Sequence, residues 1–191
     1  MRTLVLLLAA ALTATACTTG TDAVVRGAEF RFVSPGGQTT ILYDVEDRQE
    51  VPEISGDDLM NEGEEIAVSD FVGDVVVINI WGQWCGPCRA EAPELEEIYE
   101  SRKDEGLTVL GIDVRDPNRT TAQDFVRDTG LTYPSIYDPP GRCLLGLKGY
   151  PRSIVPSTIV LDNKHRVAAV FLRAVMAQDL TPTLDALLDE R

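Results

Sequence analysis

The sequence predicts an α/β fold in which helices cover both faces of a mixed central sheet. Residues 75–81 form a short, β-branched apolar run that is typical of a buried parallel strand, and Pro87 marks the start of a helix directly after it. Residues 107–114 predict a second buried strand. Residues 157–172 then predict an antiparallel hairpin around a polar turn, and residues 179–188 a final amphipathic helix.

The segment before the first buried strand is predicted to add a small β extension. Residues 30–33 and 40–43 predict two strands, and the Ser-Pro-Gly-Gly sequence at 34–37 predicts a turn that joins them. Residues 44–65 are acidic and rich in turn-forming residues, so we expect mostly loop with short extended pieces.

Two helices follow the first and second buried strands. The helix that starts at Pro87 is expected to run to about residue 103. A second helix is predicted to be capped by Thr120 or Thr121 and to end at Gly130, because glycine adopts the left-handed conformation that terminates helices.

The chain of 191 residues is acidic, since 31 Asp and Glu outnumber 17 Lys and Arg to give a net charge of −14. This field disfavours nucleic acid and anionic lipid surfaces as partners. It favours basic partner proteins, although solubility alone also explains it. The length suits one domain with a substantial core.

The N-terminus predicts export. After Arg2, residues 4–12 are apolar but too short to be a permanent membrane span. The small residues 14–16 precede Cys17, an order that resembles a bacterial lipoprotein signal in which Cys17 becomes lipidated. Ala14 departs from that pattern, which prefers leucine, so ordinary secretory cleavage stays open. The expected division of the chain is a signal peptide (1–16), a lipidated tether (17–28) and a folded domain with its N-terminal extension (29–191).

The motif Trp84-Cys85-Gly86-Pro87-Cys88 carries the chemistry. Cys85 is predicted to precede the first turn of a helix, where unpaired N–H groups and the helix dipole stabilise a thiolate. Cys88 follows three residues later on the same helical face and is close enough to form a disulfide. The spacing therefore predicts disulfide exchange, with Cys85 attacking and Cys88 resolving.

Other interpretations of the cysteines have less support in the sequence. A zinc site needs a second cysteine pair or two histidines, and Cys17, Cys143 and His165 lack ligand spacing. A purely structural disulfide across two residues would remove little chain entropy. We therefore expect no metal or cofactor. Cys143 lies among leucines and is predicted to be a small buried hydrophobe, with a redox role as the alternative. His165 is expected to be exposed in the hairpin turn.

Residues 77–93, including the motif, resemble the TlpA/ResA-like branch of extracytoplasmic thiol–disulfide oxidoreductases in the thioredoxin superfamily. The resemblance covers about residues 50–190 and implies a thioredoxin fold with an N-terminal β extension. Asn79 stands where cytoplasmic thioredoxins usually carry a buried aspartate, as is common in this branch. Glu91 matches an acidic position beside the active site.

The resemblance also implies roles for single residues. Pro156 matches a cis-proline that faces the cysteine pair, and the backbone of Val155 matches the position that receives extended substrate peptides. Local sequence alone leaves a trans proline, or a cis bond at Pro151, open. Glu91 is either a solvated surface charge or a partly buried carboxylate that raises the pKa of Cys88 and moves protons. Trp84 is expected to pack over the disulfide and to dock substrate.

The expected function is the reduction of disulfides in exported proteins, such as apocytochrome c before haem attachment, with electrons from a membrane redox donor protein. The expected place is the extracytoplasmic face of the bacterial membrane, with secretion as the alternative. A disulfide oxidase or isomerase is one alternative function. A copper-delivery protein of thioredoxin fold is another, although such proteins typically space their cysteines by three residues and add a distal histidine. A peroxidase is disfavoured by the Trp-Cys-Gly-Pro-Cys context.

Overall fold

The computed structural model describes residues 30–190. The predicted signal peptide, the tether and Cys17 lie outside the described residues. Among residues 30–190, no helix is both long and apolar enough to cross a membrane.

Eight strands and three α-helices make up the regular structure of residues 30–190, together with short 3₁₀ turns. The strands are β1 (Thr40–Leu42), β2 (Ser55–Asp57), β3 (Glu65–Ala67), β4 (Val75–Trp81), β5 (Leu107–Asp113), β6 (Ser135–Tyr137), β7 (Ser157–Leu161) and β8 (Val167–Phe171). The helices are α1 (Gly86–Arg102), α2 (Arg119–Thr129) and α3 (Ala177–Asp189).

Six strands form one mixed sheet in the order β1-β8-β7-β4-β5-β6, and β2 pairs with β3 in a separate ribbon. The central strand β4 runs parallel to β5 and antiparallel to β7. The sheet confirms the predicted α/β class and thioredoxin fold. Both β4 and β5 are buried along their whole length, as their continuous apolar sequences predicted.

The three α-helices of residues 30–190 pack on one face of this sheet, and the N-terminal extension with short 3₁₀ turns covers the other, so the expectation of helices on both faces is wrong for the α-helices. Val75 and Val77 of β4 belong to one apolar cluster, to which all three α-helices of the described chain contribute. Val76 and Ile78 point the other way, into a cluster closed by the extension and by a 3₁₀ turn at Cys143–Gly146. The two consecutive parallel crossovers, β4-α1-β5 and β5-α2-β6, are right-handed by default, which places α1 and α2 on the same face.

The predicted hairpin of residues 30–33 with β1 is wrong. Arg31 forms an isolated parallel bridge with Lys148, whereas β1 pairs antiparallel with β8. Phe30 and Phe32 are buried in the cluster beneath the extension. Their alternation therefore reflects side-chain burial and not a strand ladder.

Two details of α2 and its surroundings also differ from the prediction. The residue that caps α2 is Asn118, whose Oδ1 accepts the Thr120 N–H at 3.0 Å, while Thr121 Oγ1 donates to the Asn118 carbonyl. The helix ends at Gly130 with φ 74°, as predicted. Strand β6 was not predicted, because only three residues pair there.

Candidate active site

The cysteine pair lies where β4 passes into α1. Cys85 is the N-cap of the helix, and its Sγ accepts the Cys88 N–H at 3.2 Å. Cys85 and Cys88 form a disulfide with a Cα–Cα distance of 5.3 Å, and both side chains are buried. Gly86 and Pro87 occupy the exposed first turn, where proline removes an N–H that would have no helical partner. The sequence predicted this arrangement, since all its parts are contiguous.

Trp84 stands at the surface. Its side chain is 45% exposed, and its indole Nε1 donates to the Val114 carbonyl at 3.0 Å. Gly82 permits this position, because a Cβ there would overlap the indole. The bond fixes the ring beside the end of β5 and leaves a face of it open to solvent.

Glu91 is a buried carboxyl and not a solvated surface charge. Its side chain lies in α1, 1% of the residue is exposed, and burial raises its pKa to about 7. Oε1 accepts from Asn79 Nδ2 at 2.9 Å, and Oε2 accepts from the Val175 N–H at 2.9 Å. Glu91 follows Cys88 by three residues, so the two side chains are neighbours on one helical face.

The start of β7 lies beside the end of β4. The Val155–Pro156 peptide bond is cis, as the resemblance implied, and the bond before Pro151 is not. Asn79 Nδ2 also donates to Thr158 Oγ1 at 3.2 Å, which links β7 to the carboxyl of Glu91. Within residues 30–190, neither the N–H nor the carbonyl of Val155 has a backbone partner. Both groups are thus available to an extended peptide.

A pair of acidic residues beneath the motif was missed by the sequence analysis. Asp116 accepts from the backbone N–H of Gln83 at 3.0 Å and from its Nε2 at 3.2 Å, so it anchors the residue before Trp84. Asp113 at the end of β5 is fully buried, and no donor of residues 30–190 reaches its oxygens. Burial and the neighbouring Asp116 charge raise the pKa of Asp113 to about 9. The signal in the sequence was an aspartate at the end of a largely apolar buried strand.

The remaining cysteine and the histidine of residues 30–190 lie apart from this site. Cys143 is partly buried against the cluster on the other face of the sheet, and burial raises the pKa of its thiol above the ordinary value. His165 is half-buried, and its Nε2 lies 3.0 Å from the Phe71 carbonyl, so the expectation of an exposed ring is wrong. Residues 30–190 contain no group of three or more side chains that could hold a metal ion.

Comparisons with known proteins place the chain among disulfide-handling enzymes. The model of the AhpC/TSA family matches residues 48–170. A structure described as a secreted thiol–disulfide isomerase from Corynebacterium glutamicum is 52% identical, covers 85% of this chain and 99% of its own, and has a TM-score of 0.82. A DsbF homologue from Corynebacterium diphtheriae is 51% identical over 84% of this chain and all of its own, with a TM-score of 0.80.

A more distant relative is the thiol-disulfide oxidoreductase ResA of Geobacillus kaustophilus (strain HTA426). It is 29% identical over 125 residues, which are 65% of this chain and 70% of the relative.

Proposed function

The chain belongs to the AhpC/TSA family and is a thiol–disulfide oxidoreductase of thioredoxin fold, and we propose that it reduces disulfides of exported proteins outside the cytoplasm. The observation that carries the proposal is the disulfide between Cys85 and Cys88 at the start of α1, one helical turn from the buried carboxyl of Glu91.

The proposed reaction is a two-step exchange. In the reduced enzyme, the Cys85 thiolate attacks one sulfur of a substrate disulfide; the enzyme–substrate S–S bond forms, the substrate S–S bond breaks, and one substrate thiolate leaves. Cys88 then attacks Cys85 Sγ, which releases the second substrate thiol and closes the Cys85–Cys88 disulfide. Two electrons pass from the cysteine pair to the substrate.

Cys85 is assigned the attacking role because of its position. At the N-cap, its sulfur meets the Cys88 N–H and the positive end of the helix dipole, both of which favour the thiolate. Cys88 is as buried as Cys85 but lies one turn further from the positive end of the helix dipole, so it ionises less readily and needs a base when it resolves the mixed disulfide. Glu91, with a pKa of about 7, is the group assigned to take that proton.

The substrate proposed first is a protein such as apocytochrome c, reduced before haem attachment with electrons from a membrane redox donor protein. The resemblance to the TlpA/ResA-like branch and the relative named ResA support it. Oxidation or isomerisation of secreted proteins is the second candidate, because a 52% identical protein is described as a secreted isomerase. A potential of about −250 mV or lower favours the reductase, and about −130 mV the oxidase.

The proposed enzyme is held at the extracytoplasmic face of the membrane by lipid on Cys17, after removal of residues 1–16, with residues 17–28 as its tether. The support is the order of apolar run, small residues and cysteine in the sequence. Fractionation of cells with Cys17→Ala tests this point. If the variant stays in the membrane and the wild type carries no lipid, the lipid anchor is wrong.

Trapping of mixed disulfides tests the reaction itself. Cys88→Ser is expected to accumulate covalent complexes with exported proteins, since no nearby thiol remains to release them. Cys85→Ser is expected to trap far fewer. Non-reducing gels after acid quenching compare the two variants. Equal trapping, or more trapping by Cys85→Ser, would reverse the assigned roles, and no trapping by either variant would count against disulfide exchange with proteins.

A further inference from the structure

A pocket of about 230 Å³ lies directly beside the redox motif. Val114, whose carbonyl holds the Trp84 indole, forms one wall, and Arg115 and Arg152 form others. The Arg115 guanidinium lies over the Trp84 ring, 5.8 Å from its centroid. Its Nη2 donates to the Arg152 carbonyl at 3.1 Å, which joins the end of β5 to the loop that leads to Val155. The pocket therefore lies between the end of β5, which holds the Trp84 indole, and residues 152–153, which precede Val155 in the chain.

The two arginines are exposed, and neither forms an ion pair with a carboxylate of residues 30–190. Arg115 also has a left-handed backbone with φ 58°, held by its N–H bond to the Pro139 carbonyl at 2.9 Å. That conformation is strained for a residue with a Cβ, and such strain is concentrated at functional sites. Two neighbouring arginines without an ion pair are notable in a chain of net charge −14.

We propose that Arg115 and Arg152 form a recognition site for carboxylates on the substrate, so that exchange is selective for protein segments with Asp or Glu next to the reactive cysteine. The inference rests on the proposed function and adds its substrate class. Guanidinium groups bind carboxylates through paired N–H donors, and both groups stand at the pocket where a segment on Val155 would pass. Ser153, which also lines the pocket, adds a hydroxyl donor.

The charge of the whole chain predicts the opposite preference. A net charge of −14 attracts basic substrates at long range, whereas the arginine pocket attracts acidic ones at short range. At about 0.1 M ionic strength the Debye length is about 10 Å, so distant charges are screened and those in contact remain. Under these conditions, faster reaction with acidic substrates therefore indicates the arginine pocket, and faster reaction with basic substrates indicates the net charge of the chain.

The test uses three peptides that differ only in the two residues on each side of one cysteine, which are Glu, Gln or Lys. The cysteine carries a 2-pyridyl disulfide. Attack by Cys85 of the reduced full-length protein on the peptide sulfur releases 2-thiopyridone, whose absorbance gives the rate constant, and Cys88 then displaces the peptide thiol. The rate of the Cys85→Ser variant, which keeps the other thiols, is subtracted.

The wild type is expected to react about tenfold faster with the Glu peptide than with the Lys peptide, at the lower end of electrostatic rate effects. Arg115→Gln/Arg152→Gln is expected to lose this preference, so that its rate constants with the Glu and Lys peptides become equal. The control Arg102→Gln/Arg127→Gln also removes two positive charges, but away from the pocket. Arg102 lies about 21 Å along α1 from Cys88. This control is expected to keep the preference.

Equal rates with all peptides, a Lys preference in the wild type, or an unchanged Glu preference in the arginine variant would each overturn the inference and leave the exchange activity standing. An arginine effect with glutathione disulfide but not with the Glu peptide would also overturn it, in favour of a small anionic disulfide. No reaction with the Gln peptide would contradict the proposed function itself.

Discussion

Burial and hydrogen bonding have opposite effects on the pKa of Glu91. Burial raises its pKa to about 7, although the donors from Asn79 and Val175 favour the carboxylate. An acid whose pKa is raised by folding stabilises the protein fully only below its unfolded value, 4.5 here, and that contribution is lost as the pH rises through 7. The difference of about 2.5 between the two pKa values corresponds to about 3 kcal/mol.

Glu91→Gln is expected to slow exchange by about tenfold to a hundredfold, because the amide cannot take the Cys88 proton. The fold accommodates the change, since a flip of the Asn79 amide turns its oxygen toward the NH₂ of the introduced side chain and the Thr158 hydroxyl. Rate constants against pH, together with urea unfolding, measure both effects.

Two further results are expected for this variant. The stability of Glu91→Gln should not fall between pH 5 and 8 as that of the wild type does. The control Glu97→Gln, on the exposed side of the same helix, should behave as the wild type. Equal pH–rate profiles for Glu91→Gln and the wild type would remove Glu91 from the mechanism.

Asp113 gives a second pH-dependent contribution. Because folding raises its pKa to about 9, the wild type is expected to lose stability as the pH rises from 4 to 9. Asp113→Asn removes the ionisation and keeps a donor toward Asp116. Its stability relative to the wild type is therefore expected to rise by at least about 1 kcal/mol, the equivalent of one pKa unit, between pH 5 and 9. Urea unfolding with the exposed Asp57→Asn as control measures this, and a constant difference would contradict it.

The predictability of these residues from sequence follows from where their partners lie. Cys85 and Cys88 were predictable because cap, proline and partner thiol are adjacent. Glu91 was placed on the correct face by helical spacing, but its burial depends on Asn79 and Val175, which are distant in the chain. The contacts of Gln83 with Asp116 span β4 and β5 and had no local signal.

At the scale of elements, strands buried on both faces were predicted best. β4 and β5 are long enough for their composition to identify them, and the β7–β8 hairpin carries a polar turn between apolar runs. β6 has three residues, so its pairing with β5 depends on the sheet that it joins and not on its own sequence. Residues 30–33 show the converse case, since alternating apolar side chains need burial but not a strand partner.

The cap of α2 gives a prediction at this scale. Asn118→Ala is expected to destabilise the protein by about 1 kcal/mol, because the Thr120 N–H loses its side-chain acceptor. Asn118→Ser retains an acceptor and is expected to stay near the wild type, and Thr120→Ala is expected to change little. Thermal unfolding compares the three. A larger loss of stability for Thr120→Ala than for Asn118→Ala would show that Thr120 caps the helix, as the sequence predicted.

At the scale of the whole molecule, long-range ion pairs tie the N-terminal extension to the core. Arg48 lies 3.4 Å from Asp162 in the turn after β7 and 2.6 Å from Glu190, which directly follows α3. Its guanidinium is almost fully buried, so the pairs are less screened than surface ones. Extension, hairpin and last helix are thereby linked through one side chain, and we expect them to unfold together with the site they support.

The oxidation state of the cysteine pair is expected to change the stability of this whole unit. By thermodynamic linkage, a folded pair that is a better reductant than the same pair in the unfolded chain makes the oxidised protein the more stable form. The helix N-terminus favours the reduced thiolate, whereas the buried Glu91 carboxylate opposes a second negative charge nearby. Since Glu91 ionises as the pH rises through about 7, the advantage of the oxidised form should grow from pH 6 to pH 8.

Urea unfolding with and without reductant measures this difference at each pH. The oxidised wild type is expected to have the higher midpoint, with a larger gap at pH 8, while Glu91→Gln should show a gap that does not change with pH. The Cys85→Ser/Cys88→Ser variant should show no effect of reductant. A higher midpoint for the reduced wild type would assign the protein to the oxidases, because strong disulfide oxidants are those whose reduced form is the more stable one.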